Sequence, residues 1–156
     1  MTTTRLQKID ALAAQLHEGQ TRNNSDLPYI THPRAVMNIA TQGSSMKFYH
    51  ETFVEHVAAV ALLHNVLEDT DVGQTRLFDL VMECGWSSNE TNAIVHDVSL
   101  LTRLSKSQPI LDYLRGIKGG SFAATIVKRA DIEHNLSDLK PGNLRDKYHL
   151  CLNFLE

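Results

Sequence analysis

The chain has 156 residues, enough to bury a substantial core in one domain, with an ordinary globular balance of 42% hydrophobic and 21% charged residues. A net charge of −3 and a pI near 6.2 argue against a dedicated nucleic-acid binder, whose phosphate contacts need a basic face. No apolar run approaches the roughly 18 residues of a membrane span, and MTTTRLQK has no signal-peptide core, so a cytoplasmic protein is expected. Cys84 and Cys151 lie inside amphipathic patterns without metal-type spacing and read as reduced core residues.

In chain order, Leu6, Ile9, Leu12, Ala13 and Leu16 recur at helical spacing, which predicts a helix from about Thr4 to Glu18 with Gly19 at its stop. The polar stretch TRNNSDL makes a loop that returns to Tyr29 and Ile30. Pro33 suits a first helical turn, so a second helix is expected from Pro33 to about Thr41, packing Val36, Ile39 and Ala40. His32 is then held at a helix start, where a cap, a surface residue and a ligand are all open readings.

After GSSMK, one long helix is expected from about Glu51 to Leu67. Its run Val57, Val60, Ala61, Leu62, Leu63 offers little solvent face, so it should be central. It ends by delivering His64, Asn65, Glu68 and Asp69 within six residues. At about 100° per residue, His64 and Glu68 share one face, and Asn65 and Asp69 the neighbouring one. An imidazole, an amide and two carboxylates at the end of a buried helix are costly to desolvate, and a metal ion with water would satisfy them together. An ordinary helix end in a solvated turn is the competing reading.

Thr75–Cys84 carries a stripe of Leu77, Leu80, Val81 and Cys84, and Gly85 ends it. Ser87 with Glu90 three residues on is a capping box for a helix whose stripe is Ile94, Val95, Val98 and Leu101. A short helix Pro109–Lys118 should break at Gly119-Gly120. Another runs from Phe122 to about Asp138, with Ala123, Ile126, Val127 and Ala130 inward. Pro141-Gly142 turns the chain into a last helix of Leu144, Tyr148, Cys151, Leu152 and Leu155. Without sustained period-two alternation, the chain reads as all-α.

A second chemical cluster lies in VKRADIEHNL. Asp131 and Asn135 are four apart and stack on one face. Asp131 borders the buried face and needs a partner: either a cation, or an arginine such as Arg22 or Arg145. His134 could share that face, as a ligand contact or a cap on the core.

Together, HEGQTR with PYITHP, then ALLHNVLEDT, then VKRADIEHNL resemble the HD-domain phosphohydrolases, in particular the hydrolase module of Rel/Spo proteins and the small stand-alone alarmone hydrolases. The likeness runs from His17 to about Tyr148 and includes CGW and IVHDVSLLTRL between the motifs. It implies a compact helical HD-domain bundle over residues 1–156. It implies that His32, His64, position 65 and Asp131 hold a metal ion, manganese in this family. Glu68 and Asp69 match the acidic pair that orients or deprotonates water, and Arg22, Asn135 and Tyr148 match the nucleotide pocket. The implied chemistry is metal-assisted hydrolysis, with the ion polarising a phosphoryl group and a carboxylate taking the proton of water.

Three positions depart from the family pattern. Asn65 stands where the family has its naming aspartate; an amide oxygen can ligate but supplies no charge, so ion affinity and water activation should fall. RNNSDLP lacks the lysine that often follows the arginine, so a weaker preference for guanine is expected. Ile132 and Glu133 replace more basic residues. The expected function is a metal-dependent nucleotide pyrophosphohydrolase of the (p)ppGpp 3′ type, attenuated by Asn65. The alternatives are a hydrolase of another nucleotide (an NADPH phosphatase or a deoxynucleotide hydrolase) and a non-catalytic nucleotide-binding protein. The expected partner is a small nucleotide, with neither nucleic acid nor membrane involved.

Overall fold

A computed structural model describes residues 2–23 and 25–156; Asn24, within the RNNSDLP stretch, lies outside the described residues. The helices are α1 (Arg5–Leu16), α2 (Thr31–Gln42), α3 (Glu51–Leu63), the single turn α4 (Val66–Asp69), α5 (Gln74–Glu83), α6 (Ser88–Leu101), α7 (Ile110–Gly120), α8 (Phe122–Ser137) and α9 (Asn143–Leu155), with a 3₁₀ turn at Ser44–Phe48. Among the described residues the only β pairing is an isolated antiparallel bridge between Thr21 and Pro28. The all-α expectation holds. Among the same residues no helix is long and apolar enough to cross a membrane.

The core is built around α3. Every residue from Val57 to Leu63 is buried, and α3 packs against α1, α2, α6 and α8. Each large aliphatic side chain taken fully from water contributes about 1.5–3 kcal/mol, so Leu62, Leu63, Ile94, Leu114 and Ile117 dominate the hydrophobic term. Both free cysteines are buried. The termini follow side-chain chemistry where it is strong: Thr4 with Gln7 and Ser87 with Glu90 each form a complete capping box.

Four expectations about elements are corrected. The helix from Glu51 does not continue to Leu67: it stops at Leu63, His64 and Asn65 form a turn, and α4 restarts at Val66. Gly119-Gly120 does not break α7, which runs through Gly120 to Ser121. A Cβ on Gly120 would sit 2.8 Å from Leu100 Cδ1, so glycine there serves close approach to α6. Ile39 on α2 is 36% exposed and Leu144 on α9 is 51% exposed, so neither belongs to the core.

Candidate metal centre and nucleotide pocket

Three elements deliver the central cluster. Thr31 opens α2, with its hydroxyl donating to the Pro28 carbonyl at 2.8 Å, and His32 in the first turn is driven inward to 1% exposure. His64 caps the C-terminal end of buried α3 at 2% exposure. Asp131, in the second half of α8, is 5% exposed. Ligand atoms of these three residues all lie within 4.8 Å of one another. The expected convergence of His32, His64 and Asp131 is therefore present.

The donor set fits a divalent cation. His64 Nδ1 lies 2.7 Å from the Ala61 carbonyl, an acceptor only, so Nδ1 carries the hydrogen and Nε2 presents a lone pair. That Nε2 is buried and has no hydrogen-bond partner; it points toward Asp131 Oδ1 at 3.5 Å. His32 Nε2 lies 3.0 Å from the same oxygen. Burial lowers the pKa of His32 to about 4, against the opposing pull of Asp131, so the ring is neutral at pH 7. Two imidazoles and a carboxylate are imidazole and hard-oxygen ligands of the kind that several divalent ions accept.

Asp131 already has a partner, and it is neither Arg22 nor Arg145. Lys128, one turn earlier on α8, places Nζ 2.8 Å from Asp131 Oδ2, and Asn135 Nδ2 donates to Oδ1 at 3.1 Å. Burial pushes the Asp131 carboxyl up, but the Lys128 ammonium and the hydrogen bond from His32 outweigh it and hold the group well below the usual carboxylate range. Arg145 instead donates to the Leu139 carbonyl.

Asn65 directly follows His64 in the turn and is half-buried. Its Nδ2 donates to Tyr29 Oη at 2.6 Å, and that hydroxyl donates onward to Asp69 Oδ2 at 3.1 Å. The two acidic residues share an outer depression, and Glu68 reaches an inner cavity as well. Glu68 lines this inner cavity, of about 150 Å³, with Asn65, Lys128, Lys147 and Tyr148, and accepts from the Arg103 backbone N–H. Asp69 faces the outer depression beside Gln20. The expected pairing of Asn65 with Asp69 is present: Asp69 N–H donates to the Asn65 carbonyl at 2.9 Å, and both side chains bond Tyr29 Oη.

A second cavity, of about 430 Å³, meets the first at Tyr148 and is lined also by Arg22, Asn135, Asp138, Leu139 and Leu144. Pairing of Arg22 N–H with the Leu27 carbonyl, and of Tyr29 N–H with the Gln20 carbonyl, swings the loop over α8. There Arg22 Nη2 donates to Asn135 Oδ1 at 2.5 Å and lies 3.5 Å from Asp138. The three expected pocket residues Arg22, Asn135 and Tyr148 are thus brought together. Lys128, Lys147, Arg103 and Tyr29 were not anticipated. Tyr29 and Lys128 lie inside PYITHP and VKRADIEHNL, and that membership was the available signal.

No family model matches the chain. It is 34% identical over 147 residues to the bifunctional (p)ppGpp synthase/hydrolase SpoT of Escherichia coli K12, a match covering 90% of this chain and 18% of that protein. It is 31% identical over 130 residues to the mouse guanosine-3′,5′-bis(diphosphate) 3′-pyrophosphohydrolase, covering 81% of this chain and 65% of that one. The chain thus spans less than a fifth of the length of the bacterial relative. A solved structure of a metazoan SpoT ortholog described as hydrolysing ppGpp shares the fold, with a TM-score of 0.70 at 23% identity, over 99% of this chain and 85% of that one.

Proposed function

Since the chain belongs to the HD-domain hydrolases of the Rel/Spo type, we propose that residues 1–156 form one such domain, which holds a (p)ppGpp-like nucleotide and retains an attenuated apparatus for removing its 3′-pyrophosphate. The observation that carries this reading is the buried His32–His64–Asp131 cluster next to a two-part cavity whose halves meet at Tyr148. The larger half lies within the usual volume range of small-ligand sites, roughly 300–1,000 Å³. Its Arg22 offers a planar fork to phosphate or a face to a base. The smaller half gathers Lys128, Lys147 and Arg103, which suits an anionic group.

His32, His64 and Asp131 would hold the ion, with the Asn65 amide oxygen beside them; manganese is the ion proposed. A divalent cation, when bound, supplies Lewis acidity for a phosphoryl group and makes water a better nucleophile at neutral pH. Glu68, which lines the cavity, would accept a proton from water there. Lys128 offers its ammonium to the departing or bound phosphate while it orients Asp131. Arg22, Asn135 and Tyr148 fix the nucleoside end. A nucleotide is the proposed small-molecule partner. The two buried thiols support a reducing, cytoplasmic setting.

Attenuation follows from charge. Asp131 contributes one negative charge, Lys128 cancels it at 2.8 Å, and Asn65 adds none, so the cluster offers a cation no net charge. A binding protein that has settled without turnover is the second reading, and one contact favours it. The Asn65 amide donates to Tyr29, which frees the phenol to donate to Asp69. An aspartate at 65 would leave two carboxylates competing for one phenolic hydrogen.

The test is Asn65→Asp. Manganese-dependent pyrophosphate release from (p)ppGpp should rise by orders of magnitude, while nucleotide affinity changes little because Arg22 and Asn135 are untouched. Equal and negligible rates for both forms at saturating ion and nucleotide leave the binding protein standing. A competition series should also show adenine and guanine nucleotides within about 4 kcal/mol of each other in binding, given the missing loop lysine.

A further inference from the structure

Behind the cluster, on the side away from Asp131, His134 touches His32. Its Nδ1 lies 2.7 Å from Nδ1 of His32, with ring centroids 5.0 Å apart. At that distance one nitrogen donates and the other accepts. A neutral imidazole carries one N–H, so the choice made at Nδ1 of His32 dictates the state of its Nε2, which faces Asp131 Oδ1 at 3.0 Å.

Two arrangements satisfy these contacts. With nothing between His32 and Asp131, Nε2 must carry the hydrogen, because a lone pair facing a carboxylate oxygen at 3.0 Å is repulsive. His32 Nδ1 is then the acceptor and His134 Nδ1 the donor. With a cation held by Nε2 and Oδ1, Nε2 must present a lone pair, and the hydrogen moves to Nδ1. That buried N–H needs an acceptor, which His134 supplies only in its other tautomer. His64 has no such freedom, since the Ala61 carbonyl keeps its hydrogen on Nδ1 in both states.

We propose that His134 is a positioning residue for His32, donating through Nδ1 when the cluster holds no cation and accepting through Nδ1 when it does, so that the two rings exchange tautomers together as the ion enters. One proton leaves His32 Nε2 for solvent. The shared hydrogen passes from His134 Nδ1 to His32 Nδ1, and His134 Nε2 takes one proton from solvent. The charge of the pair is unchanged. His134 is half-buried where His32 is 1% exposed, so it is the ring that can trade a proton with water. The inference rests on the cation-binding reading of the cluster and assigns a part to a residue outside the ligand set.

Nitrogen-15 spectra of the full chain test it, with zinc as a diamagnetic probe. His32 should show its hydrogen on Nε2 without the ion and on Nδ1 with it, whereas His64 keeps Nδ1–H throughout. Manganese affinity by calorimetry supplies the second readout. His134→Phe keeps a ring but offers neither donor nor acceptor, and should weaken binding about 10–100-fold. His134→Asn can present either amide atom and should stay within about threefold of the wild type. A His32 hydrogen already on Nδ1 in the ion-free protein overturns the inference, as does unchanged affinity in a folded His134→Phe. Absence of any ion binding by the wild type overturns the cation reading itself, and this proposal with it.

Discussion

Asp131 shares its two oxygens between opposite demands. Oδ1 faces His32 and His64 and Oδ2 is held by Lys128, so one carboxylate serves both a cation site and an ion pair. For Lys128, burial works against the charge, but Asp131 outweighs it and raises the ammonium pKa above its ordinary value. Removing one partner of a buried pair strands the other charge. Lys128→Met should therefore cost about 3 kcal/mol of stability in chelator. Added manganese should restore part of it, and the rise in melting midpoint on titration should exceed that of the wild type, because the ion now meets an uncancelled carboxylate. Equal midpoint shifts in the two proteins would contradict the charge cancellation. At this scale the sequence made His32, His64 and Asp131 visible, because each is a polar residue bordered by apolar neighbours. Lys128 was not visible, since a lysine on an amphipathic helix is ordinarily solvated and nothing local marks one that bends inward. Tyr29 was hidden differently: next to Ile30 it resembles core, and its role depends on Asn65, 36 positions away.

Elements with strong local chemistry were the readable ones. Ser87 and Glu90 satisfy each other's backbone donors within four residues, so the start of α6 follows from sequence alone. Ser87→Ala should lower unfolding free energy by about 1 kcal/mol in urea titrations, and no change would mean that tertiary packing alone sets this helix end. The break after Leu63 had no such signal. Neither glycine nor proline lies near it, and Asn65 adopts φ −105°, ψ 1°, a bridge-region conformation open to any residue but sparsely used. After the break, Glu68 lines both the inner cavity and the outer depression, and Asp69 lies in that depression with Gln20 and accepts from Tyr29. Similarly, Gly119-Gly120 looked like a stop from local propensity, but α7 runs through both, with Gly120 packed against the Leu100 side chain.

Across the whole molecule, three of the buried or half-buried histidines come from separate segments: His17 after α1, His32 on α2 and His134 on α8. Burial is the main cause that lowers the pKa of each, opposed for His17 by Gln20 and for His32 by Asp131, and reinforced for His134 by Arg22. The fold therefore prefers them neutral, while the unfolded chain takes up protons near the ordinary imidazole value of about 6.5. In the window between that value and the His32 value of about 4, the unfolded state binds more protons than the native one. Unfolding free energy then rises with pH, so this stability is complete above about pH 6.5 and is lost as pH falls toward 4. The slope should be on the order of 1 kcal/mol per pH unit, since one group contributes at most about 1.4. Asp97 does not cancel the trend. Burial raises its pKa, but His56, Ser121 and His96 outweigh that and lower it, so its contribution is lost only at still more acid pH. Urea midpoints measured in chelator at pH 7.5 and pH 5 should fall on acidification, and His32→Gln should flatten the dependence by removing the most displaced group. A midpoint unchanged between those two pH values would mean that the His32 cluster accommodates a proton in the folded state, which the 3.0 Å approach of Nε2 to Asp131 would then have to explain.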